Sequence, residues 1–240
     1  MTEILYQTDS YLREFNAEVC QVLPEMNAFI LDRTAFYPGG GGQSYDTGSV
    51  IFNGLESRLK RAKMDPLGLL HIVEDGESLP DIGSIVTGQI DWERRYQIMR
   101  THTAMHILCG VIFRDYGALV TGGDMEPLKG RMDFEFETLT KELIAIIEKS
   151  VNAEVDAAHN VKVAILPREE AFKIPDLIRT KINLLPDHIQ QVRTVEIVDL
   201  DLQADGGTHV NNTSEVRKMR TPDYKSKGKI NKRIYLELSV

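Results

Sequence analysis

The sequence is poor in cysteine, since Cys20 and Cys109 are the only two among 240 residues. Two thiols cannot supply the disulfide framework that stabilises small secreted domains, so we expect free thiols and a cytoplasmic protein. The sequence also lacks an apolar run of about 20 residues, the length that a membrane-spanning helix requires. The N-terminal segment MTEILYQTDSYLREF lacks the apolar core of a signal peptide. These absences argue against a secreted scaffold and against a membrane protein.

The sequence also lacks an overall basic charge, because it has 28 lysines and arginines and 36 acidic residues, which give a formal net charge of −8. General duplex-binding proteins are usually basic. One segment departs from this balance: residues 217–233 hold eight basic residues and one acid, Asp223. Such a basic stripe can bind a phosphate backbone, or it can be a solvated charged face. The candidates for RNA contact in this stripe are Arg217, Lys218, Arg220, Lys225, Lys227 and Lys229.

Short segments of strand composition fill the first part of the chain, separated by turn signals such as Asn53-Gly54 and Asp75-Gly76. Strands are predicted at residues 18–23, 28–33, 48–52, 69–74 and 84–91. Their spacing predicts a small barrel or sandwich.

The pattern changes after Asp91, a plausible N-cap for a helix from Trp92 to about Tyr116. A second helix is predicted at residues 139–160, with an apolar face formed by Leu143, Ile147, Val151 and Val155. Further strands are predicted at residues 131–136, 161–166, 192–200 and 229–240, the last with alternating Ile230, Ile234, Leu236 and Leu238. The sequence therefore predicts an α+β protein, with a small β-barrel-like domain over residues 1–90 and an α+β domain over residues 91–240.

Two histidines lie four residues apart on the first predicted helix, so the imidazoles of His102 and His106 share one face. Such a pair alone can also be structural. His209, in the segment ADGGTHVNNT, is a third candidate because Gly206 and Gly207 permit a tight turn toward a ligand. If the helix and this loop meet, three histidines and one open position would form the arrangement typical of catalytic zinc.

Three motifs together carry a resemblance: FYPGGGGQSYDTG at residues 36–48, RTHTAMH at 100–106 and ADGGTHV at 204–210. They resemble the editing region of alanyl-tRNA synthetases. In length the chain is most similar to the free-standing editing proteins of the AlaX family, medium type, and the resemblance covers nearly the whole chain. It implies the alanyl/threonyl-tRNA synthetase editing-domain fold, a Zn²⁺ cofactor, and hydrolysis of mischarged seryl-tRNA(Ala), with glycyl-tRNA(Ala) as a second candidate substrate.

The chain departs from the family pattern at one proposed metal ligand. The family's zinc is held by an HxxxH and a CxxxH motif, and the cysteine position is occupied here by Asp205. An aspartate can ligate zinc directly or can support the ligands by hydrogen bonds. Cys109 is a competing donor, since it lies near His106 on the same helical face. We favour Asp205, because it matches the family position, and interpret Cys109 as a buried apolar residue.

The glycine run Gly39, Gly40, Gly41 and Gly42 would by itself indicate only a hairpin turn. The resemblance implies that Thr34 and the loop through Gln43 face the aminoacyl pocket across the domain interface. Thr34 could then hydrogen-bond a seryl hydroxyl, which alanine lacks. The alternative is that Thr34 is simply a strand residue.

The predicted reaction is metal-assisted hydrolysis of an aminoacyl ester, because no Ser-His-Asp order or reactive-cysteine motif competes with it. The sequence leaves open whether zinc activates water, polarises the carbonyl or anchors the substrate's amino group. Two other functions are kept as alternatives. One is a zinc hydrolase that edits a different aminoacyl-tRNA; the other is a non-catalytic tRNA-binding module with structural histidines.

Overall fold

The structure is a computed structural model that describes residues 2–180 and 189–240, and it is of the α+β class. The chain forms two units, Met1–Tyr96 and Gln97–Val240, so the division falls inside the first helix. We predicted the boundary near residue 90, where the last barrel strand ends. Each unit is described by itself below.

A closed barrel dominates the first unit, with strand order β2-β3-β7-β6-β5-β8. All five strands that we predicted in this region correspond to observed strands, and of the two predicted architectures the barrel is confirmed. A short parallel pair, β1 with β4, accompanies the barrel. The strands of this unit are β1 (Glu3–Ile4), β2 (Glu14–Leu23), β3 (Ala28–Leu31), β4 (Arg33–Thr34), β5 (Gly48–Phe52), β6 (Leu55–Asp65), β7 (Gly68–Val73) and β8 (Ile85–Ile90).

Strand β6 was missed in the sequence because its eleven residues, LESRLKRAKMD, are mostly charged. Its buried positions are Ser57, Leu59 and Ala62, whereas its charged side chains are exposed or only partly buried. The hairpin that joins it to β5 turns at Asn53-Gly54, where both residues have positive φ, 51° and 76°. Positive φ at both central positions is the requirement of a type I′ hairpin turn.

A buried ion pair fixes the segment that carries the glycine run. Arg95 donates two hydrogen bonds to the Asp46 carboxylate and further bonds to the backbone carbonyls of Ala35 and Ser10. Asp46 also accepts from the Tyr37 backbone N–H at 2.6 Å. Because each guanidinium nitrogen meets an acceptor, the pair can remain buried, and it ties both ends of residues 35–46 to one point of the first unit.

The second unit contains a five-stranded sheet, in which β14-β16-β10-β9 lie in order and β15 pairs with β16, and a three-stranded sheet, β11-β12-β13. The helix that we predicted from Trp92 to about Tyr116 is confirmed as α1. The elements from there to the C-terminus are α1 (Trp92–Tyr116), β9 (Val120–Glu126), β10 (Lys129–Glu135), α2 (Lys141–Asp156), β11 (Val161–Pro167), α3 (Arg168–Ala171), β12 (Gln191–Ile197), β13 (Asp201–Ala204), β14 (Met219–Arg220), β15 (Tyr224–Ser226) and β16 (Asn231–Leu238).

Two details of the predicted apolar faces are corrected. On α2 the buried positions are Ile144, Ile147, Val151 and Val155, whereas Leu143 is only partly buried. Ile230 lies outside β16 and is 48% exposed, because the strand begins at the next residue. Within residues 2–180 and 189–240, no helix combines the length and apolarity needed to cross a membrane.

A glycine in α1 allows a close approach of the chain where β13 begins. A Cβ on Gly110 would lie 2.9 Å from Leu200 Cγ and 3.0 Å from Asp201 Cβ. Glycine costs a helix interior about 1 kcal/mol relative to alanine. Here it lets Leu200 and Asp201 pack directly on the helix, one turn from His106.

Candidate metal centre

Four side chains of the second unit converge at one point: His102 and His106 from α1, and Asp205 and His209 from the loop after β13. The ligand atoms that they offer all lie within 4.8 Å of one another. The spacing of four on α1 directs both of its imidazoles to the same side. The helix and the loop do meet, as the metal-site prediction required.

The three imidazoles turn their Nε2 atoms toward the Asp205 carboxylate. Its oxygens lie 3.4 Å from His102 Nε2, 4.0 Å from His106 Nε2 and 3.1 Å from His209 Nε2. The ring centroids of His102 and His209 are 4.1 Å apart. The histidines are at most 6% exposed, whereas the Asp205 side chain is 18% exposed. Solvent therefore reaches the cluster on the side of the carboxylate.

Burial and the charges of neighbouring side chains shift the pKa values of three members of the cluster. Burial raises the pKa of Asp205, but the neighbouring His102 and His209 outweigh it and hold the pKa well below its usual range. Burial and the neighbouring His102 lower the pKa of His209 well below its usual range, which leaves that imidazole neutral. Burial also lowers the pKa of His106, yet Asp201 and Asp205 more than offset it and raise the pKa. For Asp205 and His209 these directions favour the ionised carboxylate and the neutral imidazole, the states in which such groups bind metals, whereas His106 must lose its proton to do so.

Hydrogen bonds outside the cluster hold the loop residues in place. His209 Nδ1 lies 3.2 Å from Thr103 Oγ1, which also accepts from the Val210 backbone N–H at 3.2 Å. Asp205 Oδ1 accepts from the Gly207 N–H at 2.7 Å. Arg193 donates to the Asp205 backbone carbonyl at 2.9 Å. Sequence reasoning missed Thr103 and Arg193, because their roles depend on contacts between distant segments.

Cys109 is not among the clustered side chains. It lies on α1, is 1% exposed, and burial raises the pKa of its thiol far above the ordinary value. A thiol that stays protonated is a poor metal ligand. Of the two donors considered for the fourth position, the structure brings Asp205 to the histidines.

Thr34, in the first unit, is fully buried and its hydroxyl has two partners. Thr34 Oγ1 lies 2.8 Å from His71 Nε2 and accepts from the Phe36 backbone N–H at 3.1 Å. His71 Nδ1 lies 3.4 Å from the Phe29 carbonyl, and burial lowers the pKa of His71 to about 4. Because a carbonyl can only accept, Nδ1 carries the proton of the neutral ring, and Thr34 donates its own proton to Nε2.

The glycine run forms a tight turn between Gly40 and Gln43, whose backbones exchange hydrogen bonds of 3.1 and 2.9 Å. The two central residues, Gly41 and Gly42, have φ of 58° and 86°. Residues other than glycine rarely adopt this pair of backbone conformations. Gln43, a residue of the first unit, is 3% exposed. Thr34, Gly39–Gly42 and Gln43 thus lie in one unit, and the histidine cluster lies in the other.

The basic stripe is split by the structure into exposed and internally bonded residues. Lys232 is buried and donates to the carbonyls of Gly228 and Lys229, and Arg233 forms two bonds to Asp133. Lys225 lies 3.8 Å from Asp223. All six candidates for RNA contact are exposed: Arg217, Lys218, Arg220, Lys225, Lys227 and Lys229.

Two family models match the chain. Residues 7–94 match the model described as tRNA synthetases class II (A). Residues 192–235 match the model described as the threonyl and alanyl tRNA synthetase second additional domain. The second match covers the loop that carries Asp205 and His209.

Curated relatives align along nearly the whole chain. The chain is 40% identical to an alanyl-tRNA editing protein AlaX-M of Saccharolobus solfataricus, over 98% of both chains. It is 37% identical to an AlaX-M protein of Methanosarcina mazei, over 99% of this chain and 97% of that one. An alanine--tRNA ligase of Saccharolobus islandicus is 35% identical over 90% of this chain, which corresponds to 24% of the ligase.

Proposed function

The chain belongs to the alanyl-tRNA editing proteins of the AlaX-M type, and we propose that it hydrolyses the aminoacyl ester of seryl-tRNA(Ala) or glycyl-tRNA(Ala) while sparing alanyl-tRNA(Ala). As a member of this family it is an enzyme, an aminoacyl-tRNA hydrolase. The observation that carries the proposal is the buried cluster of His102, His106, Asp205 and His209. The compartment that we propose is the cytoplasm.

Zinc is the metal that we propose for this cluster. Imidazole nitrogens and a carboxylate oxygen are ligands that zinc takes in proteins, and three imidazoles with one carboxylate form a set of four that fits a dication. His102, His106 and His209 would hold the ion, with Asp205 as the fourth group. When bound, zinc would supply Lewis acidity, by lowering the pKa of a water ligand, polarising the ester carbonyl or holding the substrate's amino group.

Thr34 is proposed to select the seryl group, which we infer from its hydrogen bonds. Its hydroxyl proton goes to His71, and one lone pair accepts from Phe36, so one lone pair is left. Thr34 can therefore meet a substrate hydroxyl only as an acceptor. Serine offers a donor in its side chain, whereas alanine and glycine offer none. We propose that Gln43 is a catalytic residue together with Thr34, and that the turn from Gly39 to Gly42 faces the aminoacyl group.

Thr34→Val is expected to lower the ratio of seryl-tRNA(Ala) to glycyl-tRNA(Ala) hydrolysis about tenfold. The loss corresponds to one hydrogen bond of about 1.4 kcal/mol that only serine makes. The ratio is measured as kcat/KM for both substrates on the same preparation, which cancels any loss of folded protein. Thr34→Ser, which keeps the hydroxyl, is the matched control. An unchanged ratio in Thr34→Val would contradict the role of Thr34.

The exposed part of the basic stripe is proposed to contact the tRNA backbone. Lys227→Ala with Lys229→Ala is expected to reduce the slope of log affinity against log salt by about 1 to 2, as two lost phosphate contacts require. The measurement is tRNA binding at several salt concentrations. Lys141→Ala with Lys149→Ala removes the same charge from exposed positions of α2 and is expected to leave the slope unchanged. Equal slopes for both double variants would show that the stripe makes no specific contact.

A panel of mischarged tRNAs, with and without a chelator, tests the proposed reaction. We expect hydrolysis of seryl-tRNA(Ala) and glycyl-tRNA(Ala), little hydrolysis of alanyl-tRNA(Ala), and loss of activity in the chelator that added zinc restores. Threonyl-tRNA belongs in the panel, because residues 192–235 match a domain shared by threonyl and alanyl synthetases. Preference for it would favour the alternative of a different editing substrate. Binding without turnover would favour a non-catalytic tRNA-binding module.

A further inference from the structure

A second buried carboxylate stands behind the metal cluster, on the side away from the ligand atoms. Asp201 Oδ2 lies 3.3 Å from His106 Nδ1, whereas His106 Nε2 faces Asp205. His106 Nδ1 is buried and has no aligned hydrogen bond in the described part of the chain, and the Asp201 carboxylate lies within ion-pair distance of it. Asp201 is buried and is not one of the four clustered side chains.

We propose that Asp201 is a positioning residue: it holds the Nδ1–H tautomer of His106, so that the Nε2 lone pair is directed at the bound metal. The proposal rests on the metal site of the proposed function. A neutral imidazole carries its proton on either nitrogen, and only the bare nitrogen can ligate. A carboxylate beside Nδ1 selects the tautomer with the proton there, and it also makes the other nitrogen a better ligand.

Asp201 is itself held from several directions. Arg179 Nε donates to Oδ1 at 3.3 Å and Gln203 Nε2 donates to Oδ2 at 2.6 Å. Gly110 lies one helical turn beyond His106, and its lack of a side chain lets Asp201 Cβ approach the helix. These contacts leave the carboxylate little freedom to turn away from His106. The helical glycine, unfavourable for α1 alone, is explained by this approach.

Asp201→Asn is the informative substitution because the amide has one acceptor in place of two. The charge of Arg179 favours the amide oxygen on its own side, which turns the NH₂ group toward His106. That group would donate to Nδ1 and so favour the proton on Nε2, where it competes with the metal. We therefore expect zinc affinity to fall about tenfold to 100-fold, as for other supporting carboxylates.

Asp176→Asn is the matched control. Asp176 Oδ2 lies 4.0 Å from Arg179 Nη1, but its side chain is 65% exposed. Both substitutions remove a carboxylate from Arg179, and only Asp201 also faces His106. Zinc affinity is measured on the full chain by competition with a chromophoric chelator. Asp176→Asn is expected to leave it unchanged.

A double variant separates positioning from a general structural role. If Asp201 acts through His106, then Asp201→Asn should change zinc affinity less than about twofold when it is added to His106→Ala. If the two losses multiply, or if Asp201→Asn alone binds zinc like the natural protein, the proposal is wrong while the metal site stands. Failure of the natural protein to bind zinc would instead overturn the metal site, and this proposal with it.

Discussion

His106→Ala is expected to leave the protein without stoichiometric zinc after dialysis and to slow hydrolysis of seryl-tRNA(Ala) about 1,000-fold. A metal supplies several kcal/mol of charge stabilisation in the transition state, and about 4 kcal/mol corresponds to this factor. The substitution removes one proposed ligand and also leaves Asp201 without the ring that it faces. Single-turnover hydrolysis and elemental analysis of the same samples measure the two losses together.

His159→Ala is the control for this prediction. His159 belongs to the same unit, but its Nε2 atom lies 2.8 Å from Glu154, outside the cluster. We expect this variant to keep both zinc and activity. Full activity of zinc-free His106→Ala would contradict a reaction that depends on the metal, whatever the outcome for His159→Ala.

Local sequence signals predicted the elements that position the site. The helix from Trp92 to Tyr116 was predicted because Asp91 offers an N-cap and glycine occurs within it only at position 110. The spacing of His102 and His106 then determined that both rings share a face. These inferences succeeded because each depends on residues within a few positions of one another.

The contacts that complete the site depend on distant residues and left little trace in the sequence. The approach of Asp201 to His106 requires Gly110, and in the sequence this glycine indicates only a residue of low helix propensity. Strand β6 was missed for a related reason. Most of its residues are charged, and the three that are buried in the barrel do not form a recognisable apolar pattern in the sequence. The pairing of His71 with Thr34 likewise depends on a contact between β7 and β4, which lie far apart in the sequence of the first unit. In each case the residue has no distinctive sequence signal, and its role becomes visible only when the fold brings a distant partner next to it.

The fourth position of the cluster gives the second large effect. Asp205→Asn is expected to weaken zinc binding about 100-fold, because an ionised oxygen is exchanged for a neutral amide beside three histidines. An asparagine can still accept from the Gly207 N–H, as Asp205 Oδ1 does at 2.7 Å, so the loop should keep its turn. Competition with a chromophoric chelator measures the affinity, and the circular dichroism spectrum checks that the fold is retained.

Asp205→Cys decides between direct ligation and support of the ligands. Cysteine is the residue that the resemblance leads us to expect at this position, and a thiolate binds zinc strongly. If Asp205 is a ligand, Asp205→Cys should bind zinc at least as tightly as the natural protein and far more tightly than Asp205→Asn. If Asp205 only orients His102 and His209 by hydrogen bonds, a thiol is a poor substitute and both variants should lose affinity alike. Direct ligation by oxygen, which we expect, would give a site made only of nitrogen and oxygen donors, more Lewis-acidic and less tightly held than one with a thiolate.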